Sequence, residues 1–366
     1  MKTRNYKIVK VLNISILFLV SLFANIDQIE TQNNIPKKSV LSCSNFAAAI
    51  NETILFGNSE DGNFGHYLRE DPLSSQMFYF PAGADGHGCT FVGWLVEDYI
   101  RSVQGGMNDQ GLCYDLTGIP EAPMISHPEK PYRIDGTWIQ YDVLRENANV
   151  SEAIDFLQNV NWEGPIWFQW FFADSTGDMV IVSPGPDGEL AFTRKVAGVD
   201  GFLTQTNFNR ITNESESGGF NWQRYETSTE MLTEIRNEEN LNVTAFNSIL
   251  EAIHFKKRLG FTGYSNVFDP RNQMAYITFL SQFDETAVIN VTEELSIPGY
   301  RAIPMTDYFS QETIDAGLSY FKDYKRRTAF VFVGLPVIGT ILLISGIVVA
   351  SFYIIRKRKK AVDKIN

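Results

Sequence analysis

The stretch CSNFAAAINETILFGNSEDG, which runs from Cys43 to Gly62, decides the fold of this chain. It contains two β-strand patterns, CSNFAAAI and TILFGN, separated by a turn at Asn51-Glu52, so it predicts a β-hairpin. Cys43 stands at the start of that hairpin, well past an N-terminal apolar segment. Three interpretations compete for this cysteine: half of a disulfide, a lipid attachment site, or a residue that becomes the N-terminus of the mature protein.

Both ends of the chain carry targeting or anchoring patterns. The basic start MKTRNYKIVK and the apolar run VLNISILFLVSLFANI predict a signal peptide over residues 1–24, cleaved after Ala24, with an uncleaved signal anchor as the alternative. The run from Thr328 to Ile355 has no charged residue, which predicts a transmembrane helix over 328–355. The RKRKK that follows predicts a cytoplasmic basic tail over 356–366. The body of the protein would then lie outside the cytoplasm, at the cell membrane.

The segments between these ends divide into three predicted parts. Residues 25–42 are polar and aperiodic and are expected to be a pro-segment or linker. Residues 43–315 are expected to be one folded catalytic domain, and residues 316–327 a juxtamembrane linker. Several strand patterns surround two helical regions in the domain, at about 137–160 and 222–255, which predicts a layered α+β fold.

Each helical region carries a local signal of its own. The first is predicted to break near Asn147-Ala148-Asn149 and to restart with Ser151 as N-cap. The second is predicted to form two pieces. In its second piece four apolar residues recur at helical spacing and predict one buried stripe: Phe246, Ile249, Leu250 and Ile253.

The net charge of −12 at pH 7 limits the partners of the protein. Such acidity argues against binding to nucleic acid and against docking flat on an anionic membrane surface. Within residues 43–315, five Asn-X-Ser/Thr sequons are compatible with an exported glycoprotein, at Asn51, Asn149, Asn213, Asn242 and Asn290.

The three cysteines are an odd number, so at least one thiol per monomer is unpaired. If Cys89 and Cys113 form a disulfide in an oxidising compartment, Cys43 is the free thiol. A lipid on Cys43 would duplicate the anchor that the C-terminal helix provides. None of the four histidines, His66, His87, His127 and His254, stands in a sequence context that signals catalysis. Their spacing relative to the cysteines gives no metal-ligand pair, so neither a metal nor a cofactor is expected.

Cleavage between Ser42 and Cys43 would give Cys43 a free α-amine. That group titrates at about pH 7.7–8.0 and could act as general base for the thiol of the same residue. This third interpretation needs no histidine. It does require an oxyanion hole and a partner for the amine.

The motifs around and after Cys43 resemble the choloylglycine hydrolase family of linear-amide C–N hydrolases, which includes penicillin V acylases and bile salt hydrolases. The matching blocks follow one another in order: CSNFAAAI, GNSEDG, QGGMNDQGLCYDLTGIP, FFADSTGDMVIV, LTQTNFN, NWQRYET and NVFDPRNQMAYI. The resemblance implies a four-layer αββα sandwich of the N-terminal-nucleophile type. It also implies a mature chain that starts with a catalytic cysteine, here Cys43.

The same resemblance implies roles for other residues. Asp61 would hold the α-amine, Asn108 and Asn207 would donate to the oxyanion, and Arg224 would favour the ionised thiol. Each has a structural alternative: Asp61 caps a turn, Asn108 fills a hairpin, and Arg224 lies on a solvated helix face.

Three positions depart from the family pattern. Many relatives carry Arg, Asn and Trp where this chain has Asn58, Ser59 and Gly62. Asn58 and Ser59 are therefore expected to line a reshaped pocket.

These observations predict a membrane-tethered, externally facing cysteine amidohydrolase. Its expected partners are a small-molecule N-acyl amide substrate and the membrane, with no nucleic acid, and homo-oligomerisation is left open. Two alternatives remain: a dipeptidase of the neighbouring N-terminal-nucleophile group, and a surface binding domain that kept the fold and lost the chemistry.

Overall fold

The predicted N-terminal hairpin is present, as strands β1 (Ser44–Ile50) and β2 (Thr53–Asn63). Asn51 at the turn has a φ of 51°, in the left-handed region that Asn tolerates better than most residues. The computed structural model describes residues 43–63, 72–84, 86–96, 99–133, 139–162, 164–212, 220–255, 260–330 and 334–362. The predicted signal peptide, the pro-segment, His66 and Asn213 lie outside these residues.

The hairpin belongs to a six-stranded sheet with the order β12-β1-β2-β13-β14-β15. Its other strands are β12 (Gly201–Gln205), β13 (Gly260–Asp269), β14 (Met274–Phe279) and β15 (Gln282–Asn290). All its strand pairs are antiparallel. The hairpin therefore lies inside the sheet, with strands from the second half of the chain on both sides.

A second sheet has eight strands in the order β11-β10-β9-β6-β5-β4-β3-β16. They are β3 (Ser75–Phe80), β4 (Cys89–Val96), β5 (Tyr99–Asn108), β6 (Cys113–Ala122), β9 (Ile166–Ala173), β10 (Met179–Pro184), β11 (Leu190–Lys195) and β16 (Arg301–Pro304). This sheet is also antiparallel. Two short parallel strands, β7 (Tyr132–Arg133) and β8 (Val160–Asn161), pair apart from it.

Both predicted helical regions form. The first gives α1 (Ile139–Glu146) and α2 (Val150–Gln158), and the second gives α3 (Phe220–Glu234) and α4 (Val243–Ile253). The break in the first region lies where it was predicted. However, the N-cap of α2 is Asn149, whose side chain accepts from the backbone N–H of Glu152, and not Ser151. A short helix α5 (Val291–Ser296) follows β15, and 3₁₀ turns occupy Pro72–Ser74, Glu238–Asn240 and Met305–Tyr308.

The apolar side chains form three cores that together use both faces of the two sheets. The central core contains residues from both sheets, for example Ala47 and Phe56 from one sheet and Phe171 from the other. One outer core joins the eight-stranded sheet to α1 and α2. The other joins the six-stranded sheet to α3 and α4 and contains the predicted stripe of α4. Successive side chains of a strand point to opposite faces of the sheet. The core to which a residue belongs therefore shows which face its side chain points to.

The C-terminal part of the chain is helical. Helix α6 (Gln311–Ala329) includes residues 316–327, which the sequence suggested as a linker, and it buries Phe321 and Tyr324 in the central core. Helix α7 (Leu335–Val362) follows. Its segment Val337–Lys357 has a mean hydropathy of 2.4, so it is long and apolar enough to cross a membrane, and its most apolar window is not buried in the protein.

The suggested disulfide between Cys89 and Cys113 is not formed, since all three cysteines are free thiols. The reason is the direction of the side chains. Cys89 on β4 belongs to the outer core of the eight-stranded sheet, whereas Cys113 on β6 belongs to the central core. Thiols on opposite faces of a sheet do not meet the geometric requirements of a disulfide.

Candidate active site

Cys43 lies directly before β1 and is 1% exposed. Its thiol donates to Oε2 of Glu60, with Sγ and Oε2 3.2 Å apart. The hairpin register explains the contact, because Ser44 pairs with Ser59 and the next positions outward are Cys43 and Glu60. Both residues have the parity of the central-core residues Ala47 and Phe56, so the thiol points to the space between the sheets.

A second carboxyl group, that of Asp115 on β6, approaches Glu60 from the other sheet. Asp115 follows Cys113 by two residues and therefore points to the same central core. Both carboxyl groups are fully buried. Burial raises the pKa of Glu60 well above its ordinary value, and the charge of Asp115 raises it further. Burial likewise raises the pKa of Asp115, against a hydrogen bond of 2.6 Å from the backbone N–H of Leu116.

Asp61 points to the opposite face of β2, towards the helices. There it forms an ion pair with Arg224 of α3, with 2.5 Å between Nη2 and Oδ2. Thr262 and Ser59 donate to Oδ1 of Asp61, and Arg224 also donates to Ser59 and to the carbonyl of Ile253. Burial raises the pKa of Asp61 to about 6, although Arg224 and Thr262 act in the opposite direction.

The surroundings of Cys43 disfavour ionisation of its thiol. Burial raises its pKa well above the ordinary range, and the carboxyl groups of Glu60 and Asp61 raise it further, while the backbone N–H of Asp61 lowers it. A buried thiol among carboxylates is a poor nucleophile unless a base removes its proton. The site therefore needs a base close to Sγ.

A row of four amide side chains crosses the six-stranded sheet next to the Cys43–Glu60 pair. The register pairs Gln205 with Asn45, Asn45 with Asn58, and Asn58 with Asn266, on the adjacent strands β12, β1, β2 and β13. All four are fully buried, and Asn58 donates to Asn45 at 2.6 Å. A strip of amides in the centre of a sheet is a costly arrangement for packing alone.

The facing strands of the other sheet supply matching polar groups. Gln205 donates to Thr117 of β6 at 2.5 Å, so the two sheets are joined here by a side-chain hydrogen bond. Gln169 of β9 also donates to Thr117, at 3.1 Å, and Ser183 of β10 donates to Gln169 at 2.8 Å. The polar zone between the sheets thus extends from Cys43 towards β10.

Asn207 follows β12 and is 5% exposed. Gln205, the last residue of β12, pairs with Asn45, so Asn207 lies two residues past the end of the strand that neighbours β1. Its side-chain amide donates to the carbonyl of Gly118 on β6 at 2.9 Å. Asn207 therefore lies just past the strand that neighbours β1, and its role as an oxyanion donor stays a prediction.

Asn108 is not brought to the thiol. It follows Met107, a central-core residue, so its side chain points to the outer face covered by α1. Its two amide hydrogens bond the carbonyls of Leu144 and Asn147 at 2.8 and 2.7 Å, and its Oδ1 accepts from the N–H groups of Gln110 and Leu112. This is the hairpin-filling alternative, and it leaves Asn108 without a hydrogen to donate to a substrate.

The glycine pair in the GGMNDQGL block is explained by close approaches. A Cβ on Gly105 would collide with the carboxyl group of Asp115, its register partner. A Cβ on Gly106 would lie 2.5 Å from the carbonyl of Thr90 and 2.7 Å from Phe91. One glycine therefore makes room for a site carboxyl group and the other for strand packing.

Of the residues predicted from the sequence, Asp61, Arg224 and Ser59 contact one another, and Asn58 lies on the same strand as Asp61; their catalytic and pocket roles stay predictions. Sequence reasoning missed Glu60, Asp115, Asn45 and Asn266. A signal was present for Asn45, which is a polar residue in the otherwise apolar or small-residue strand SNFAAAI. Among the described residues, no three His, Cys, Asp or Glu side chains converge as a metal site would require. A cavity of about 340 Å³ opens between α3 and strands β1 and β12, but its walls do not include Cys43.

Solved structures with a similar fold exist for two hydrolases. Two variants of conjugated bile acid hydrolase from Clostridium perfringens match with a TM-score of 0.56 and 15% sequence identity, over 73% of this chain and 98% of theirs. Penicillin V acylase from Agrobacterium tumefaciens matches with a TM-score of 0.53 and 16% identity, over 72% of this chain and 91% of its own. The chain has the fold of these two hydrolases.

That fold confirms, at the level of structure, the resemblance found in the motifs after Cys43. No protein-family model and no curated protein sequence matches the chain.

Proposed function

We propose that the protein is an N-terminal-nucleophile amidohydrolase that cleaves the C–N bond of a small linear amide through an acyl-enzyme on Cys43. One observation carries the proposal. In a fold shared with two amide hydrolases, the buried thiol of Cys43 stands at the start of the first strand, against Glu60, and the Asp61–Arg224 pair lies on the other face of β2.

Cleavage between Ser42 and Cys43 would supply the base that the site lacks. The new α-amine has an ordinary pKa of about 7.7–8.0 and belongs to the same residue as the nucleophile. It takes the proton of the thiol as Sγ attacks the amide carbonyl carbon. Asn207 donates to the developing oxyanion, and the leaving amine departs with the proton. Water then hydrolyses the thioester, and the α-amine receives the proton of the water and returns it to the thiol.

Asp61 and Arg224 support this chemistry from the helix side of β2. In the proposal, the Asp61 carboxylate orients the α-amine while Arg224 keeps that carboxylate in place. The backbone N–H of Asp61, which lowers the pKa of the thiol, favours the thiolate.

The architecture and location are part of the same proposal. In this proposal the protein is a four-layer αββα sandwich, with α3 and α4 outside one sheet and α1 and α2 outside the other. The three cores are then the contacts between successive layers. The catalytic domain is placed outside the cytoplasm, after a cleaved signal peptide, and is tethered by α7. The apolar segment Val337–Lys357 supports the tether.

Intact-mass measurement with N-terminal sequencing of the full-length protein in detergent tests the proposal. We expect the mature chain to begin at Cys43, and we expect it to release acyl groups from a panel of N-acyl anilides. A Cys43→Ala variant should release none. A wild-type chain in which Ser42 and Cys43 remain joined would overturn the mechanism and favour a surface binding domain.

A further inference from the structure

Several polar atoms around Cys43 have no hydrogen-bond partner among the described residues. They are Oε1 of Glu60, Oδ2 of Asp115, Nδ2 of Asn45, Oδ1 of Asn58, and both amide atoms of Asn266. Each of these side chains is fully buried. Buried polar atoms in proteins are nearly always hydrogen-bonded, because leaving them unpaired is costly. Their convergence on one space between the sheets points to a polar ligand.

Two carboxyl groups lie in this space. Glu60 and Asp115 approach each other there from the two sheets, and, after burial, the charge of Asp115 raises the pKa of Glu60. Arg224 is committed to Asp61 on the opposite face of β2. A cation among the unpaired atoms would neutralise the two carboxylates, and the amide oxygens of Asn58 and Asn266 would accept its remaining hydrogens.

We infer that Glu60 and Asp115, with the amides of Asn45, Asn58 and Asn266, form a subsite for a protonated amine on the acyl side of the substrate. The substrate class is then an amide of an aminoacyl group, and not an amide of a purely apolar acid. This inference rests on the proposed function, because it takes Cys43 as the residue that receives the acyl group.

The position of Glu60 limits where the amine can be. Its Oε2 is 3.2 Å from the Sγ of Cys43, the atom that would bond the acyl carbon. An ammonium group held by this carboxylate therefore sits one or two carbons from the carbonyl, as in α- or β-aminoacyl groups. A longer spacer would carry the charge past the two carboxylates.

Charge-matched thiol reagents test the subsite without requiring hydrolysis. 2-Aminoethyl methanethiosulfonate places an ammonium two carbons from the sulfur that it transfers, and propyl methanethiosulfonate is its neutral counterpart of similar shape. In both reactions the cysteine sulfur forms a disulfide and methanesulfinate leaves, so only the side group differs. Peptide mass spectrometry of the full-length protein in detergent would give the rate at Cys43, normalised to the rate of each reagent with a small neutral thiol.

We expect the normalised rate for the cationic reagent to exceed that for the neutral one by at least about tenfold, the factor expected from one hydrogen bond to a charged group. Glu60→Gln should remove most of this preference and Asp115→Asn part of it. Asp315→Asn is the matched control, because it removes one exposed carboxylate from α6 and should leave the preference unchanged.

Equal normalised rates in the wild-type protein would overturn the inference and show that the two carboxyl groups share a proton instead of binding a cation. Failure of both reagents to reach Cys43 would also overturn it, because the space would then be closed to ligands. A chain that remains joined at Ser42–Cys43 but shows the cationic preference would reject the proposed function and retain the subsite.

For a chain that begins at Cys43, hydrolysis gives a second readout. The anilides of 3-aminopropanoic acid and butanoic acid differ only by replacement of an ammonium with a methyl group. We expect kcat/KM to favour the aminoacyl anilide by a similar factor, and Glu60→Gln to reduce that ratio towards one. A preference for the butanoyl anilide in the wild-type protein would contradict the inference.

Discussion

The Sγ of Cys43 and the Oε2 of Glu60 lie 3.2 Å apart across the first hairpin, inside the space between the two sheets. The residue after Glu60, Asp61, points the other way and pairs with Arg224. Two adjacent carboxyl groups on one strand therefore serve opposite faces of the sheet. One faces the thiol, and the other anchors the strand to helix α3.

The first prediction concerns the acidity of the thiol. The carboxyl group of Glu60 is one cause of the raised pKa of Cys43, after burial itself. Glu60→Gln should therefore lower the thiol pKa and move the pH profile of alkylation by iodoacetamide, measured at Cys43 by mass spectrometry, to lower pH. Asp315→Asn is again the control. A profile that stays in place or moves to higher pH would reject the electrostatic role of Glu60.

The second prediction concerns stability and pH. The pKa of Asp61 is raised from 3.8 to about 6, so the folded protein binds the proton more tightly than the unfolded chain does. Proton binding by Asp61 therefore adds about 3 kcal/mol to the free energy of unfolding. This contribution is fully present below pH ~4 and is lost as the pH rises through 6. Chemical denaturation at several pH values measures this slope. Asp61→Asn should flatten it, and an unchanged slope would show that other groups cause it.

The third prediction concerns the Asp61–Arg224 pair. Both side chains are almost fully buried, so removing one charge leaves the other unpaired. Arg224→Met should lower the free energy of unfolding by about 3–5 kcal/mol at neutral pH. Adding Asp61→Asn to that variant should restore part of the loss, because the unpaired carboxylate is then gone. Asp61→Asn could instead lower the free energy of unfolding by the same amount in the Arg224→Met variant as in the wild-type protein. That result would show that the two residues act independently.

The sequence predicted the parts of the site that are close to one another along the chain or lie on adjacent strands. Cys43 was singled out by its place at the start of the hairpin, and Asp61, Asn207 and Arg224 follow from the motifs carried by the resemblance. Alternation along β2 predicts that Glu60 and Asp61 point to opposite faces, but it does not reveal which face meets the second sheet. That information depends on the packing of strands from both halves of the chain.

The same limit explains Asp115 and Asn108. Asp115 approaches Glu60 only because the two sheets share a core, and no local pattern encodes that approach. Asn108 stands in a turn sequence that suits a catalytic donor and a hairpin residue equally well. The structure resolves the ambiguity through Met107, whose place in the central core turns Asn108 outward. The suggested Cys89–Cys113 bond failed for the same reason, since spacing in the sequence does not show which sheet face each thiol occupies.

The fourth prediction concerns Gly105, which makes room for the Asp115 carboxyl group. A methyl group at this position would collide with that carboxyl group, so Gly105→Ala should lower the free energy of unfolding by about 1–3 kcal/mol. Gly83→Ala is a matched control, because a Cβ on exposed Gly83 meets no atom within 4 Å. Chemical denaturation compares the two. Equal stability of both variants would show that β6 can shift and that Asp115 is not fixed by its neighbour.

The last prediction separates the two asparagines that were candidate oxyanion donors. Asn207 lies two residues past Gln205, the register partner of Asn45, whereas Asn108 donates both amide hydrogens to the carbonyls of Leu144 and Asn147. Asn207→Ala should therefore reduce kcat for anilide hydrolysis by about 10²–10³-fold with little change in KM, as the loss of an oxyanion donor does elsewhere.

Asn108→Ala should destabilise the fold and leave kcat per folded molecule within a few-fold of the wild-type value. Asn209→Ala controls for the loss of a buried asparagine near the same strand end, since its amide donates to the carbonyl of Pro184 at 2.7 Å. A large loss of kcat in Asn108→Ala, with Asn207→Ala unaffected, would reverse the assignment and require β5 to rearrange when substrate binds.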